Sequence, residues 1–350
     1  MTSKKQTLEN QLGEVTFRKK LSEQHKGKKL YFEGQPTKDV ILEEFQKRIE
    51  VTKEDFDKLL GKGLPLSPFL EIGAEKCQRA MFLVNKLGLN GFAADLSYES
   101  LKSARDFLKP LGFTKLPKRI CLDAYHLPFR DNSIPLIFYY ETLHHFPDPK
   151  PVLDEAYRVL RSDGALFFND EPIKQLLNLH LWRRDYNLTR FEKFLKCTLI
   201  LPFLSTIGKS EVEHGILEET FWLDVWERSL EKYHTVEAKV KPFFIGPAQI
   251  VSMSGKRKRW LTPGLFVKLL LALQGGGITV LATAKKEKKA DISAQNPLAL
   301  LACPSCPTRS ALEIVSQGFA CPSCGTRYKI KDDILMLLPK KLEKKLYGHR

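Results

Sequence analysis

From Pro68 to Phe168 short apolar runs alternate with stretches of helical period, and this alternation restricts the chain more than any other feature. Strand candidates are Phe69–Ile72, Phe92–Ala94, Ile120–Leu122, Leu136–Tyr140 and Ala165–Phe168. Between them lie helix candidates at Ala80–Leu87, Tyr98–Leu108 and Pro151–Leu160. Repeated strand–helix units argue for a parallel sheet with helices on both faces. Right-handed crossovers then leave few topologies. The expected fold is α/β, a doubly wound, Rossmann-like sheet.

Around this core the texture changes. Residues 1–64 are polar and basic with one helical pattern (Val40, Ile41, Phe45, Ile49, Phe56, Leu59, Leu60), a helical lead-in or cap. The main domain is expected over 65–285, with insertions at 172–232 and 243–276. The first insertion is helical in pattern and carries Trp182, Tyr186, Phe191, Phe194, Phe221, Trp222 and Trp226. Late strands are expected at Val236–Lys241 and Ile278–Ala284. The second insertion holds GKRKRW at 255–260 and LFVKLLLAL at 265–273, read first as a surface loop and a core helix. A charged linker at 286–296 leads to a cysteine module at 297–340. The net charge of +15 favours anionic partners without choosing among nucleic acid, lipid and phosphorylated substrate. No secretory h-region opens the chain and no run of 18 apolar residues occurs, so a cytoplasmic location is the expectation.

A ligand of an open α/β sheet binds outside the carboxyl ends of its strands. The first such turn, in PFLEIGAEKCQRA at 68–80, offers the small residues Gly73 and Ala74. Glu75 and Gln78 stand where a dinucleotide fingerprint has glycine, and Glu75 would repel a pyrophosphate at the helix N-terminus. A cationic sulfonium ligand meets no such objection. Asp95 closes the next strand, 22 residues after Gly73, at the spacing of a ribose-binding carboxylate. Asp123 closes the third strand and can accept from an adenine amino group. Each acid alone reads as a helix N-cap; three acids in series point to a ligand cleft.

LEIGAEKCQRA, GFAADLSYESLKSAR and DAYHLPFRDNS…LHHFPDP…EAYRVLRSDG together resemble the class I S-adenosylmethionine-dependent methyltransferases, type 11 subgroup, over about residues 68–170. The resemblance implies a Rossmann-like methyltransferase sheet. It places Glu71, Gly73 and Ala74 on the methionine and ribose side of S-adenosyl-L-methionine. Asp95 and Leu96 fall at the ribose hydroxyls, Asp123 and Ala124 at adenine, and Tyr140 and Glu141 face cofactor and substrate. Where that family's first motif is glycine-rich, this chain has Glu75 and Cys77.

Methyl transfer needs an aligned nucleophile and, for some acceptors, a base. Candidates near the later strand ends are Glu141, His144, His145, Asp170 and Glu171. Of the histidines, His145 is taken as the stronger base, although the LHHF pair reads first as a loop-fixing element. NDEP at 169–172 suits a substrate amine or hydroxyl and equally a helix cap. Glu213, His214, Glu218 and Glu219 read as a solvated helix face.

Cys303, Cys306, Cys321 and Cys324 form two C-x2-C knuckles, the ligand set of a closed, structural Zn2+ site. The segment resembles the small zinc-ribbon subunits that activate certain methyltransferases, here joined in cis. Cys77, Cys121 and Cys197 are expected to be core thiols. Three functional readings follow. The first is a methyltransferase for a small-molecule, glycan or lipid-precursor acceptor, with peripheral membrane contact through the basic and apolar stretch. The second is a tRNA or rRNA methyltransferase. The third is a non-catalytic zinc-ribbon scaffold with a degenerate nucleotide site.

Overall fold

The computed structural model describes residues 2–24, 38–176, 194, 197–198, 219–243, 245–254, 262–284, 286 and 296–348. The aromatic residues Trp182, Tyr186 and Phe191, the GKRKRW stretch, Glu213, His214, Glu218 and most of the 286–296 linker lie outside the described residues. The chain divides into two compact units. The larger comprises Gln11–Tyr139, Pro151–Phe167 and Thr283–Arg350; the smaller comprises Met1–Asn10, Tyr140–Lys150 and Phe168–Ala282.

In the larger unit, β1 (Phe69–Ile72), β2 (Gly91–Asp95), β3 (Lys118–Cys121) and β4 (Ile134–Tyr140) form the parallel core. β1 lies between β2 and β4, and β2 pairs with β3. Every residue of β1 and β4 is buried, which is why they read as continuous apolar runs and not as alternating ones. Gly91 is required by close approach, because a Cβ there would enter the Phe69 ring. α3 (Gln78–Lys86) and α4 (Tyr98–Leu108) follow β1 and β2. Ser97 caps α4 by accepting from Ser100 N.

Two helices precede the sheet. α2 (Lys38–Gly61) buries Ile41, Phe45, Phe56 and Leu59, with Phe56 edge-on to Phe138 at 5.3 Å and Phe45 edge-on to Phe107 at 5.0 Å. α1 (Thr2–Gln24) is an addition to the sequence expectation, which held a single helical pattern in this region. α5 (Lys150–Val159) runs into β5 (Leu160–Ile173), a strand far longer than the expected Ala165–Phe168.

The cysteine module continues the sheet. Its strands are β9 (Glu313–Val315), β10 (Gly318–Ala320), β11 (Arg327–Lys331) and β12 (Ile334–Met336). β12 pairs in parallel with β3, so the order in this unit is β4-β1-β2-β3-β12-β11-β10-β9. β11 and β12 are joined by the two-residue turn Asp332–Asp333, both at positive φ (50° and 57°), the backbone that a tight hairpin demands. The turn docks on α4: Asp332 reaches the Tyr98 hydroxyl and Lys102, and Asp333 reaches Arg105. Arg119 on β3, fully buried, donates to Leu101 O and to Asp332 O at 2.9 Å each. A last helix, α8 (Lys340–Tyr347), follows the module.

In the smaller unit, β6 (Thr235–Pro242) pairs antiparallel with β7 (Gln249–Ser254), and β8 (Gly276–Thr283) follows. The order is β7-β6-β8-β5, with β5 contributing its residues from Phe168 on. The span 243–276, expected as an insertion, thus supplies a strand of its own. α6 (Leu223–Ser229) packs Trp226 against Phe168 and Phe221. α7 (Leu265–Gln274), expected as a core helix, buries Val267, Leu271 and Gln274 and exposes Leu265, Phe266, Leu269 and Leu273. Cys77 and Cys121 are buried as expected, whereas Cys197 is exposed. No helix among the described residues is long and apolar enough to cross a membrane.

Candidate functional site

In the larger unit the chain leaves β1 through Gly73 (φ 77°), whose N–H, with that of Ala74, donates to Ala94 O at 2.9 Å. The turn then keeps the conformation of a glycine-rich loop with two residues that are not glycine: Glu75 at φ 47° and Cys77 at φ 60°. Left-handed backbone costs a side-chain-bearing residue about 1 kcal/mol each. Side chains offset that cost. Glu75 pairs with Arg48 of α2 at 3.2 Å, Arg18 of α1 at 3.7 Å and Lys76 at 3.1 Å. Burial alone would raise its pKa, but Lys76, Arg18 and Arg48 together hold the carboxylate well below the usual range. Cys77 precedes α3 without a capping side chain, and Glu71 takes that role from β1, accepting from Ala80 N at 3.1 Å. Glu71 is 1% exposed, and desolvation lifts its pKa to about 7.

Asp95 ties two turns together. One carboxylate oxygen accepts from Glu75 N at 2.9 Å and the other from Ser97 N at 2.8 Å. Desolvation raises its pKa to about 6 against the effect of these donors. The next residue, Leu96, has its carbonyl held by the Tyr347 hydroxyl of α8 at 2.7 Å and by Cys121 Sγ at 3.2 Å. Asp123, 3% exposed, accepts from Tyr125 N at 3.1 Å and from Gln11 Nε2 of α1 at 2.9 Å through Oδ1, and meets His126 Nδ1 at 2.7 Å through Oδ2. That last bond raises the His126 pKa. Ala124 beside it is buried. α1 also carries Glu14, whose charge contributes to the raised Asp95 pKa. Gln78, at the start of α3, is fully buried, and neither amide atom has a partner among the described residues. An orphaned buried amide costs a few kcal/mol unless a ligand completes it. The hydroxyl donors of a nucleoside suit the Asp95 carboxylate.

The smaller unit gathers the remaining candidates. Tyr140 is buried at the end of β4, and Glu141 follows at φ 47°, its N–H on Asn169 O at 3.3 Å. Glu171 is fully buried and accepts from Thr142 N at 2.7 Å, Leu143 N at 2.8 Å, His144 N at 3.1 Å and His144 Nδ1 at 2.9 Å. Four donors fill a carboxylate, so Glu171 anchors the Leu143–His145 turn instead of taking a proton from a substrate. With Nδ1–H donated to Glu171, the acceptor nitrogen of His144 is Nε2. The His145 ring lies 4.2 Å from that of His144, and its carbonyl accepts from Asn10 Nδ2 at 2.6 Å. Asp170 (φ 54°) donates its N–H to Thr279 Oγ1 at 3.3 Å. Partial burial, then the charges of Glu141 and Glu171, raise its pKa. Glu219 donates its N–H to His144 O at 2.8 Å. Thus Glu141, His144, His145 and Asp170 share one unit, and Glu71, Gly73, Ala74, Asp95, Leu96, Asp123 and Ala124 share the other.

Sequence reasoning passed over Gln11, Arg18 and Tyr347. α1 buries only a few residues, Gln11, Val15 and Phe17 among them, so no apolar stripe announces it. Tyr347 lies beyond the last cysteine, where no motif draws the eye.

The four cysteine sulfurs of the module lie within 4.8 Å of one another, with Cys303–Cys324 and Cys306–Cys321 at 3.7 Å. A tetrahedron of thiolates around Zn2+ at about 2.3 Å has edges of about 3.8 Å. Backbone N–H groups of Ser305 and Cys306 point at Cys303 Sγ, and those of Ser323 and Cys324 at Cys321 Sγ, the donors that relieve thiolate charge.

The family described as a methyltransferase domain, type 11, matches residues 70–168. Methyltransferase GfsG of Streptomyces halstedii is 32% identical over 31% of this chain and 39% of its own length. Sarcosine/dimethylglycine N-methyltransferase of Halorhodospira halochloris is 32% identical over 30% of this chain and 38% of its own. The chain therefore matches about two fifths of the length of these curated relatives. Among solved structures, magnesium protoporphyrin IX methyltransferase from Synechocystis with bound SAH is 13% identical, covering 73% of this chain and 90% of that one, at a TM-score of 0.41.

Replacing Glu75 by Ala removes the common partner of Arg18, Arg48 and Lys76 while leaving the left-handed strain in place. Urea denaturation should show a loss of about 2 kcal/mol. A gain in stability would mean that the cation cluster does not offset the strain.

Proposed function

We propose, for a chain whose residues 70–168 belong to the class I S-adenosylmethionine-dependent methyltransferases, that it transfers the methyl group of S-adenosylmethionine to a small-molecule, glycan or lipid-precursor acceptor. The observation that carries the reading is Asp95, a desolvated carboxylate at a parallel strand end, held by two backbone N–H groups beside the Gly73–Cys77 turn. Sarcosine/dimethylglycine N-methyltransferase, a relative named for a small-molecule acceptor, supports the acceptor class. When bound, S-adenosylmethionine supplies an electrophilic methyl on a cationic sulfur.

In this reading Asp95 and Leu96 hold the ribose, and Glu71, Gly73 and Ala74 line the methionine side. Asp123 and Ala124 take the adenine. Both acceptor positions of Asp123 Oδ1 are filled, by Tyr125 N and Gln11, so an adenine amino group reaches it by displacing Gln11. Within the smaller unit, Tyr140 and Glu141 are the candidates the resemblance assigns to cofactor and substrate, and Glu141 with Asp170 is the candidate pair for an amine or hydroxyl acceptor. Of the two histidines, His144 has its tautomer set by Glu171 and is the first candidate base; His145 is the second. The four cysteines hold Zn2+ in a closed, structural site.

Calorimetry tests the cofactor. Binding needs the Asp95 carboxylate, whose pKa in the ligand-free protein is about 6. Affinity for S-adenosylmethionine should fall as pH drops through 6, and Asp95→Asn should weaken binding at neutral pH and remove the Asp95 part of that fall, while Glu71, raised to about 7, adds its own dependence near neutral pH. The sign for the fold is opposite. A raised carboxyl pKa means the folded chain binds more protons than the unfolded one between the two values, so ligand-free stability rises as pH falls through that window. Lost binding is then not lost folding. No binding at any pH sinks the reading and leaves the non-catalytic scaffold.

Once an acceptor is found with labelled cofactor, His144→Gln should lower kcat by about a hundredfold. Glu171→Gln should shift the acid limb of the pH–rate profile. A larger loss in His145→Gln transfers the base role to His145, and steeply salt-dependent turnover of RNA would replace the small-molecule acceptor by nucleic acid.

Zinc should be found at one equivalent per chain by elemental analysis. A strong chelator should raise hydrogen exchange in β12 and along β3, because β12 pairs with β3. Unchanged exchange at β3 would uncouple the module from the sheet.

A further inference from the structure

α7 presents apolar side chains on two opposite sides. At 100° per residue, Leu265, Phe266, Leu269 and Leu273 fall within about 100° of arc, opposite Val267, Leu271 and Gln274. The second set is buried in the unit; the first is 85%, 64%, 55% and 39% exposed. Such a patch, rigidly held on regular structure, marks an interaction surface.

Charge selects the partner. Between Glu237 and the end of the smaller unit at Ala282 the sequence has no Asp or Glu and seven Lys or Arg: Lys239, Lys241, the run Lys256–Arg259 and Lys268. Lys268 lies on α7 itself and is exposed. In sequence, Trp260 lies between the Lys256–Arg259 run and Leu265. Nucleic acid would match the cations but has no use for four exposed aliphatic and aromatic side chains on one helix side. An anionic bilayer matches both.

We propose that the Leu265, Phe266, Leu269 and Leu273 side of α7 is an interfacial membrane-docking face that seats among lipid chains while neighbouring cations meet anionic headgroups. The face needs neither cofactor nor metal, so the proposal is independent of methyl transfer and its failure leaves that reading untouched.

Flotation of the full chain with vesicles of phosphatidylcholine, with and without phosphatidylglycerol, is the test. The protein should float with the anionic vesicles, float poorly with neutral ones, and be released by salt. The double variant F266E/L269E should partition at least tenfold less while keeping its melting temperature, since both side chains are exposed. Hydrogen exchange of the unaltered protein should show Leu265–Leu273 protected when anionic vesicles are added. The proposal is overturned if the unaltered chain stays in solution or if α7 gains no protection. It is overturned equally if the double variant floats as well as its parent, or melts far lower because the chain itself covers the face. A dimer that the same variant splits would assign the face to a second copy, and RNA binding lost in the variant would assign it to nucleic acid; either outcome overturns the proposal.

Discussion

The Asp95 carboxylate is the constraint that joins two strand-end turns of the larger unit. It accepts one N–H from the turn after β1 and one from the turn after β2, so two loops that differ in sequence are fixed by one group. The carboxylate is desolvated enough that its pKa stands near 6, and the neighbouring loop holds Glu75 and Cys77 in left-handed backbone. Neither condition serves a ligand-free fold. Both are tolerated where a site is prepared before its ligand arrives. A glycine-rich turn would be freer and would lose that freedom on binding. Here Arg18, Arg48 and Lys76 remove it beforehand by fixing Glu75.

The smaller unit repeats the device with a different outcome. Glu171 gathers three consecutive backbone N–H groups and the His144 ring. Its acceptor capacity is consumed by the protein, which makes it a scaffold. Glu141 and Asp170 stand beside it at positive φ, with Asp170 made more basic by partial burial and then by its acidic neighbours. The acids of this chain therefore divide by environment. Those saturated by backbone donors fix turns, and those left near other charges carry the candidate chemistry.

This division was only partly legible in the sequence. The parallel core could be read because β1 and β4 are buried along their whole length and leave unbroken apolar runs. Asp95 and Asp123 could be read because strand ends are punctuated by turns. Glu171 could be noticed but not ranked, since nothing in NDEP says that three N–H groups converge on one member of it. α1 was missed because it docks by Gln11 and Arg18, polar contacts that leave no periodic signal. α7 was misjudged for the opposite reason: apolarity alone cannot distinguish a side packed against protein from a side facing out.

The cysteine module was read as a satellite because its motif is self-contained, and its pairing shows what that reading lacked. β3 without β12 would be the edge of the core, with a row of unpaired backbone groups. β12 covers it, and the β11–β12 turn is bound by Tyr98, Lys102, Arg105 and Arg119. α8 then returns Tyr347 to Leu96, one residue from Asp95. Force on the ribbon thus has two short routes to the ligand turn, one through the β12–β3 ladder and one through Tyr347. A sequence motif can specify four clustered sulfurs, but only the strand register makes the module that carries them part of the scaffold on which Asp95 stands.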